Sequence, residues 1–198
     1  MNQAEKSRQL ANRQGTTHVV LSFGAADGGA MFAQWLQREI VQRKGYMQPN
    51  NIYLDTFGLD HVPGTTFVMK EIRPTAGGLA SLNESWQEYY KHAMSTAHTM
   101  IFVATAAWFS SSYCRRELDY FIAENQVRSR EGQRRLSGVA LTFPDSETSC
   151  HFVEMTVIPT TKLYVVADEK KRLTLTGNYR DFWIVDEATL QKVVNAIG

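Results

Sequence analysis

The chain has 198 residues, 43% of them hydrophobic and 21% charged, which is enough apolar material for one domain with a buried core. Its 21 basic and 20 acidic residues leave a formal charge of +1, so a nucleic-acid module built on phosphate contacts, which is normally clearly basic, finds no support. Two cysteines, Cys114 and Cys150, are too few for a disulfide scaffold, and no N-terminal apolar run resembles a signal peptide or a membrane span; the expectation is a cytoplasmic protein, with export lacking a cleaved signal still open.

Residues 1–16 are polar, with almost nothing to bury, and are expected to form a flexible tail ahead of a single domain over 17–198. The apolar run His18-Val-Val-Leu-Ser-Phe23, closed by Gly24, predicts a strand covered on both faces, as in a parallel sheet. The chain then turns through Gly24-Ala-Ala-Asp27-Gly-Gly29, where Asp27 is a candidate helix N-cap. Phe32, Trp35, Leu36 and Ile40 follow at helical spacing until Lys44-Gly45 ends the helix. Ile52-Tyr-Leu-Asp-Thr-Phe57 predicts the second strand, with Asp55 placed either to anchor the next loop or to enter a site. Over 58–83 the periodicity dissolves around Pro63-Gly64, Pro74 and Gly77-Gly78, with one short strand expected over 65–72. So long a connection is either functional or mobile, or it packs as an extra hairpin.

Helix resumes at Ser85-Trp-Gln-Glu88, which has capping-box spacing, and Trp86, Tyr89, Tyr90 and Ala93 share a face suited to packing. Thr99-Met-Ile-Phe-Val-Ala-Thr105 predicts a third strand, apolar throughout and therefore central. In the segment that follows, Ser110, Ser111 and Ser112 supply N-cap candidates, after which Cys114, Leu118, Phe121 and Ile122 fall on one apolar stripe bordered by Glu117. Tyr113 and Phe121 flank Glu117 one turn either way, so no basic side chain stands at i±3 or i±4 to pair with it. The charged run over 128–135 predicts a solvated loop, and Leu136-Ser-Gly-Val-Ala-Leu-Thr-Phe143 a fourth strand. The region 145–181 has little pattern beyond the apolar segment Lys162-Leu-Tyr-Val-Val-Ala167. Phe182-Trp-Ile-Val185 predicts a last short strand, and Asp186 caps a helix whose Leu190, Val193, Val194 and Ile197 lie on one face.

Strands alternating with helices at this spacing argue for an α/β layer fold with a mainly parallel sheet of about five strands and helices on both faces. Such sheets bind ligands beyond the carboxyl ends of their strands, here Phe23-Gly24, Thr56-Phe57, Thr105-Ala106 and Phe143. The chain lacks Gly-x4-Gly-Lys-Ser/Thr, Gly-x-Gly-x-x-Gly and Gly-x-Ser-x-Gly, and its five histidines and isolated cysteines show no metal-ligand spacing. No metal and no bound cofactor are expected. What remains is one carboxylate, Glu117, at a favourable address.

Five segments, in order, resemble the TIR (Toll/interleukin-1 receptor) domain family over roughly residues 17–197. Val-Val-Leu-Ser22-Phe23 followed by Asp27 looks like its opening box, and Leu54-Asp55 through Pro63-Gly64 like its second strand and glycine-bearing loop. Ala93-Met-Ser95 resembles the helix end before the third strand. Ser111-Ser-Tyr-Cys114-Arg-Arg-Glu117-Leu118 is similar to the Ser-x-Trp-Cys-x-x-Glu-Leu signature, and Phe182-Trp183 to the late Phe-Trp box. The resemblance implies a flavodoxin-like, three-layer fold and one of two functions: cleavage of the nicotinamide–ribose bond of NAD+, or non-catalytic TIR–TIR assembly as a signalling scaffold. A nucleoside deoxyribosyltransferase-like enzyme is a weaker third reading. For the enzyme, it implies Glu117 as the catalytic carboxylate, with NAD+ as substrate and Phe23, Gly24, Ala25, Asp55 and Tyr113 as pocket candidates. It also implies homo-oligomeric or TIR–TIR partners; neither a nucleic-acid nor a membrane partner is expected, on the charge balance and hydropathy above. Tyr113 stands where the enzymatic members carry Trp, and Gly24-Ala25 stand where basic or polar residues often follow the first-strand aromatic.

Overall fold

A computed structural model describes residues 17–24, 29–47, 51–54, 59–62, 66–69, 90–91, 93–143, 152–160, 163–165 and 183–198. The expected tail over 1–16, the Asp27 cap, the capping box at Ser85 and most of 58–83 lie outside the described residues.

Strand β1 (Val19–Phe23) leads to helix α1 (Gly29–Lys44) and strand β2 (Ile52–Leu54). The helix stops where Gly45 takes φ +63°, a backbone state open to glycine at little cost, and its N–H returns to the Val41 carbonyl. Strands β3 (Leu59–Val62) and β4 (Thr66–Met69) pair antiparallel in a separate two-stranded sheet, which is the extra-hairpin alternative for this interval. Then come β5 (Thr99–Ala104), α2 (Ala106–Ser110), α3 (Ser112–Arg130), β6 (Ser137–Thr142), β7 (Thr156–Pro159), β8 (Leu163–Val165), β9 (Trp183–Val185) and α4 (Glu187–Ala196).

Five strands form one sheet in the order β2-β1-β5-β6-β7, every neighbouring pair parallel. This is a flavodoxin-like order, and the expected α/β three-layer architecture holds. The fifth strand is β7, which arises in the poorly patterned 145–181 region; of the expected 182–185 strand, the described residues Trp183–Val185 instead pair antiparallel with β8 outside the main sheet.

Alternation along the strands builds the two interlayer cores. Val19, Leu21, Ile101, Val103, Val139 and Leu141 face α1 and α4, where Phe32, Leu36, Ile40, Leu190 and Val193 meet them. Val20, Met100, Phe102, Ala104 and Ala140 face the opposite way, onto Tyr90, Met94, Trp108, Cys114, Leu118 and Phe121. Burial on both faces explains why β1, β5 and β6 read as unbroken apolar runs.

Helix α3 buries Cys114, Glu117, Leu118, Phe121, Asn125 and Arg128. Two residues of this helix differ from expectation. Ile122, assigned to the apolar stripe, is 45% exposed because it lies about 80° round the helix from Cys114, on the outer flank. Arg128, assigned to a solvated loop, is the last buried turn of the helix at 6% exposure. Its guanidinium donates to the carbonyls of Met94, Ser95, Ala97 and Arg134 and pairs with Glu124 at 2.8 Å. The helix is thereby tied at its C-terminal end to the turn that enters β5.

Candidate functional site

The turn after β5 is built by two caps in succession. Thr105 Oγ1 accepts from Trp108 N at 3.2 Å and starts α2; Ser111 Oγ accepts from Cys114 N at 3.3 Å and starts α3. The single helix expected after the serines is therefore preceded by a short one, with Ser111 as the joint. That joint brings the first turns of α3 to the end of β1, where Glu117 meets Ser22.

Gly24 sets how closely α2 can approach β1. A Cβ at this position would fall 2.6 Å from both the Ala107 carbonyl carbon and the Trp108 nitrogen, so only glycine fits between them. With the backbones in contact, the Trp108 side chain turns inward, buried against Phe102, Phe109 and Phe152 at centroid distances of 6.0, 5.1 and 5.4 Å. Its Nε1 donates to Ser22 Oγ at 2.7 Å. The Ser22 hydroxyl in turn donates to Glu117 Oε2. Glu117 itself is 3% exposed.

This places a buried carboxylate beside the end of β1, next to β5. The chain steps from β1 outward to β2 and then back across to β5, so the junction of β1 and β5 is the topological switch point of the sheet. Open parallel sheets bind ligands in the crevice at that point, outside the carboxyl ends of the strands. An ionised, oriented carboxylate there can accept hydrogen bonds from sugar hydroxyls or stabilise positive charge that develops on a bound substrate.

The other predicted site residues fall in four groups. Gly24 adjoins Ser22 and Trp108 and acts here as a packing glycine. Phe23 alternates to the opposite face of β1 and packs with the α1/α4 core, away from the layer that holds Glu117. Tyr113, in the first turn of α3, is 46% exposed with the Arg116 guanidinium 6.0 Å from its ring centre. Ala25 and Asp55 lie outside the described residues. Among the described residues no three His, Cys, Asp or Glu side chains come together as metal ligands. A cavity of about 380 Å³ opens elsewhere, between Trp35, Arg43, Leu190 and β9. Its polar groups already serve one another: Arg43 pairs with Glu39 at 3.1 Å and Glu187 at 2.8 Å, and Asp186 caps α4 through Thr189. The chemistry at Glu117 is the better guide to a site than this cavity.

Ser22 and Trp108 are the site residues that the sequence reading did not single out. A signal for Ser22 was present, since it is the one hydroxyl within an apolar strand covered on both faces, and a buried hydroxyl requires a partner. Trp108 carries the matching requirement, because a buried indole N–H needs an acceptor.

Searches against family profiles, curated proteins and solved structures found no match for this chain.

Proposed function

We propose that this chain is an NAD+ nucleosidase that cleaves the nicotinamide–ribose bond, with Glu117 as its catalytic carboxylate. The observation that carries the reading is a buried glutamate at the switch point of a parallel sheet, oriented by a hydroxyl from β1. Most glycosidic cleavages need an acid as well as a base or nucleophile, because an alkoxide leaves poorly. Nicotinamide leaves from a pyridinium and departs neutral, so one carboxylate suffices. Placed near the ribose, Glu117 accepts from its hydroxyls and stabilises the oxocarbenium-like charge as the bond breaks. Water capture yields ADP-ribose; capture by the adenine of the same molecule yields a cyclic isomer. The reading includes self-association through TIR–TIR contacts and a cytoplasmic setting. Among the described residues no helix is long and apolar enough to cross a membrane.

The test is nicotinamide release from NAD+ by the purified chain beside folded Glu117→Ala. Release by the parent and none by the variant supports the proposal; equal activity in both moves the chemistry away from Glu117.

One observation favours the interaction-module reading. Tyr113, at the aromatic position of the motif, is 46% exposed and so presents an aromatic surface that another protein can cover. On that reading Tyr113→Ala weakens self-association measured by light scattering, and parent and Glu117→Ala proteins are equally inert toward NAD+.

A further inference from the structure

We infer that Trp108 and Ser22 form a one-way hydrogen-bond relay that holds Glu117 as an oriented acceptor, which makes both of them positioning residues for the carboxylate. The activity arm of this inference rests on the NAD+ reading; the relay itself does not.

The direction follows from the donor inventory. An indole Nε1–H can only donate, and a serine hydroxyl has one proton to give and lone pairs to accept with. Trp108 Nε1 lies 2.7 Å from Ser22 Oγ and its proton occupies a lone pair there. The hydroxyl proton is then directed along the remaining contact, onto Glu117 Oε2. If Oε2 itself gave a proton to Ser22, the hydroxyl would accept twice and its own proton would face no acceptor among the described contacts. The relay therefore favours the ionised carboxylate and fixes which of its oxygens is turned to β1. Hydrogen bonds to a charged acceptor are the stronger kind, and burial strengthens them further.

Each member is held independently of the others. Ser22 is locked in β1 by pairing with β5, in register with Phe102. Trp108 is held by the Thr105 cap, the close approach of Gly24 and the aromatic enclosure of Phe102, Phe109 and Phe152. Glu117 is held by α3, whose far end is tied down by Arg128. Of the charged groups on the neighbouring described elements, Arg115, Arg116 and Asp119 of α3 and Lys91 are exposed, whereas Arg128 is buried at the far end of α3, paired with Glu124. Tyr90 and Cys114 are the buried titratable side chains of the same core.

The experiment uses the full chain with carboxyl-labelled glutamate, so that the Glu117 resonance is assigned by its loss in Glu117→Gln and titrated by NMR. Trp108→Phe keeps an aromatic ring and removes the donor; Ser22→Ala removes one oxygen; Ser22→Thr keeps the hydroxyl. The relay predicts that the Glu117 midpoint rises by about one unit in Ser22→Ala and by less in Trp108→Phe, and stays near the parent value in Ser22→Thr. In NAD+ cleavage it predicts a kcat lower by about 10- to 100-fold in Ser22→Ala, KM within about twofold, and an acid limb of the pH–kcat profile displaced upward with the midpoint. An unmoved midpoint in Ser22→Ala overturns the relay, and a raised KM with unchanged kcat overturns positioning in favour of substrate contact. If Trp108→Phe does not fold, the Ser22 pair decides. If the parent releases no nicotinamide, the NAD+ reading fails while the titration still decides the relay.

Discussion

Replacing Arg128 by Met is expected to unfold this protein more readily than any loop position would allow. The side chain is 6% exposed and its Nη2 donates to the Met94, Ser95 and Ala97 carbonyls at 2.6, 3.1 and 3.0 Å. The bonds to Met94 and Ala97 are buried, whereas those to Ser95 and Arg134 are partly open to water, which can replace the guanidinium there. Met94 O keeps a second donor, Ala97 N at 3.2 Å, so it is only partly orphaned. One buried carbonyl left bare costs about 1–3 kcal/mol, and the partly orphaned one adds a fraction of that. Glu124 retains contact with water at 20% side-chain exposure, so loss of its ion pair adds about 0.5–1 kcal/mol. Methionine preserves the apolar stem, which keeps the packing term small. The sum is about 2–4 kcal/mol, read as a lower urea midpoint at unchanged m-value. Glu124→Gln, which leaves the carbonyl contacts in place, should cost under about 1 kcal/mol. A loss below about 0.5 kcal/mol for Arg128→Met would show that the guanidinium acts as an ordinary surface charge and would refute the reasoning.

Gly24→Ala drives a methyl group into the backbone of Ala107 and Trp108, where no side-chain rotation can relieve it, so α2 must shift and carry the indole away from Ser22. A stability loss of about 1–3 kcal/mol is expected, together with a lower kcat; thermal melting and NAD+ cleavage check the two parts separately. His98 is expected to act as a mild acid-lability element. Burial, and then His18, Arg134 and Arg128, lower its pKa from the ordinary 6.5. The unfolded chain therefore binds the proton more readily, so the stabilising contribution is complete above about pH 6.5 and is lost as pH falls toward the lower folded-state value. In His98→Gln the fall in melting temperature across that window should flatten, and an unchanged slope would contradict the assignment.

Legibility in the sequence followed burial symmetry. Strands β1, β5 and β6 are covered on both faces and stood out as apolar runs, and the α4 cap at Asp186 and the α3 cap at Ser111 were readable from residue type. Strand β7 escaped because it is an edge strand in which only Ile158 is buried, leaving no run or alternation to detect. Arg128 escaped because a charged run looks the same whether its first member points outward or caps a neighbouring helical turn; only the arrival of Met94 and Ala97 decides it. Glu117 was legible because no basic residue stands at i±3 or i±4 from it in the sequence. Ser22, which donates to it, is 95 residues away in the chain, and no local pattern encodes such a contact. Trp108 was hidden in the same way, in a five-residue helix ahead of the serines, where a helix was expected only after them.

The most direct measurement is the rate of nicotinamide release from NAD+ by the parent chain and by Glu117→Gln, each shown to be folded by its melting curve. Glutamine keeps the shape and an oxygen for the Ser22 hydroxyl but carries no charge. The account predicts release by the parent and a kcat reduced at least about 100-fold in the variant. Equal rates in the two proteins, or no release by the parent either dilute or assembled, would contradict it.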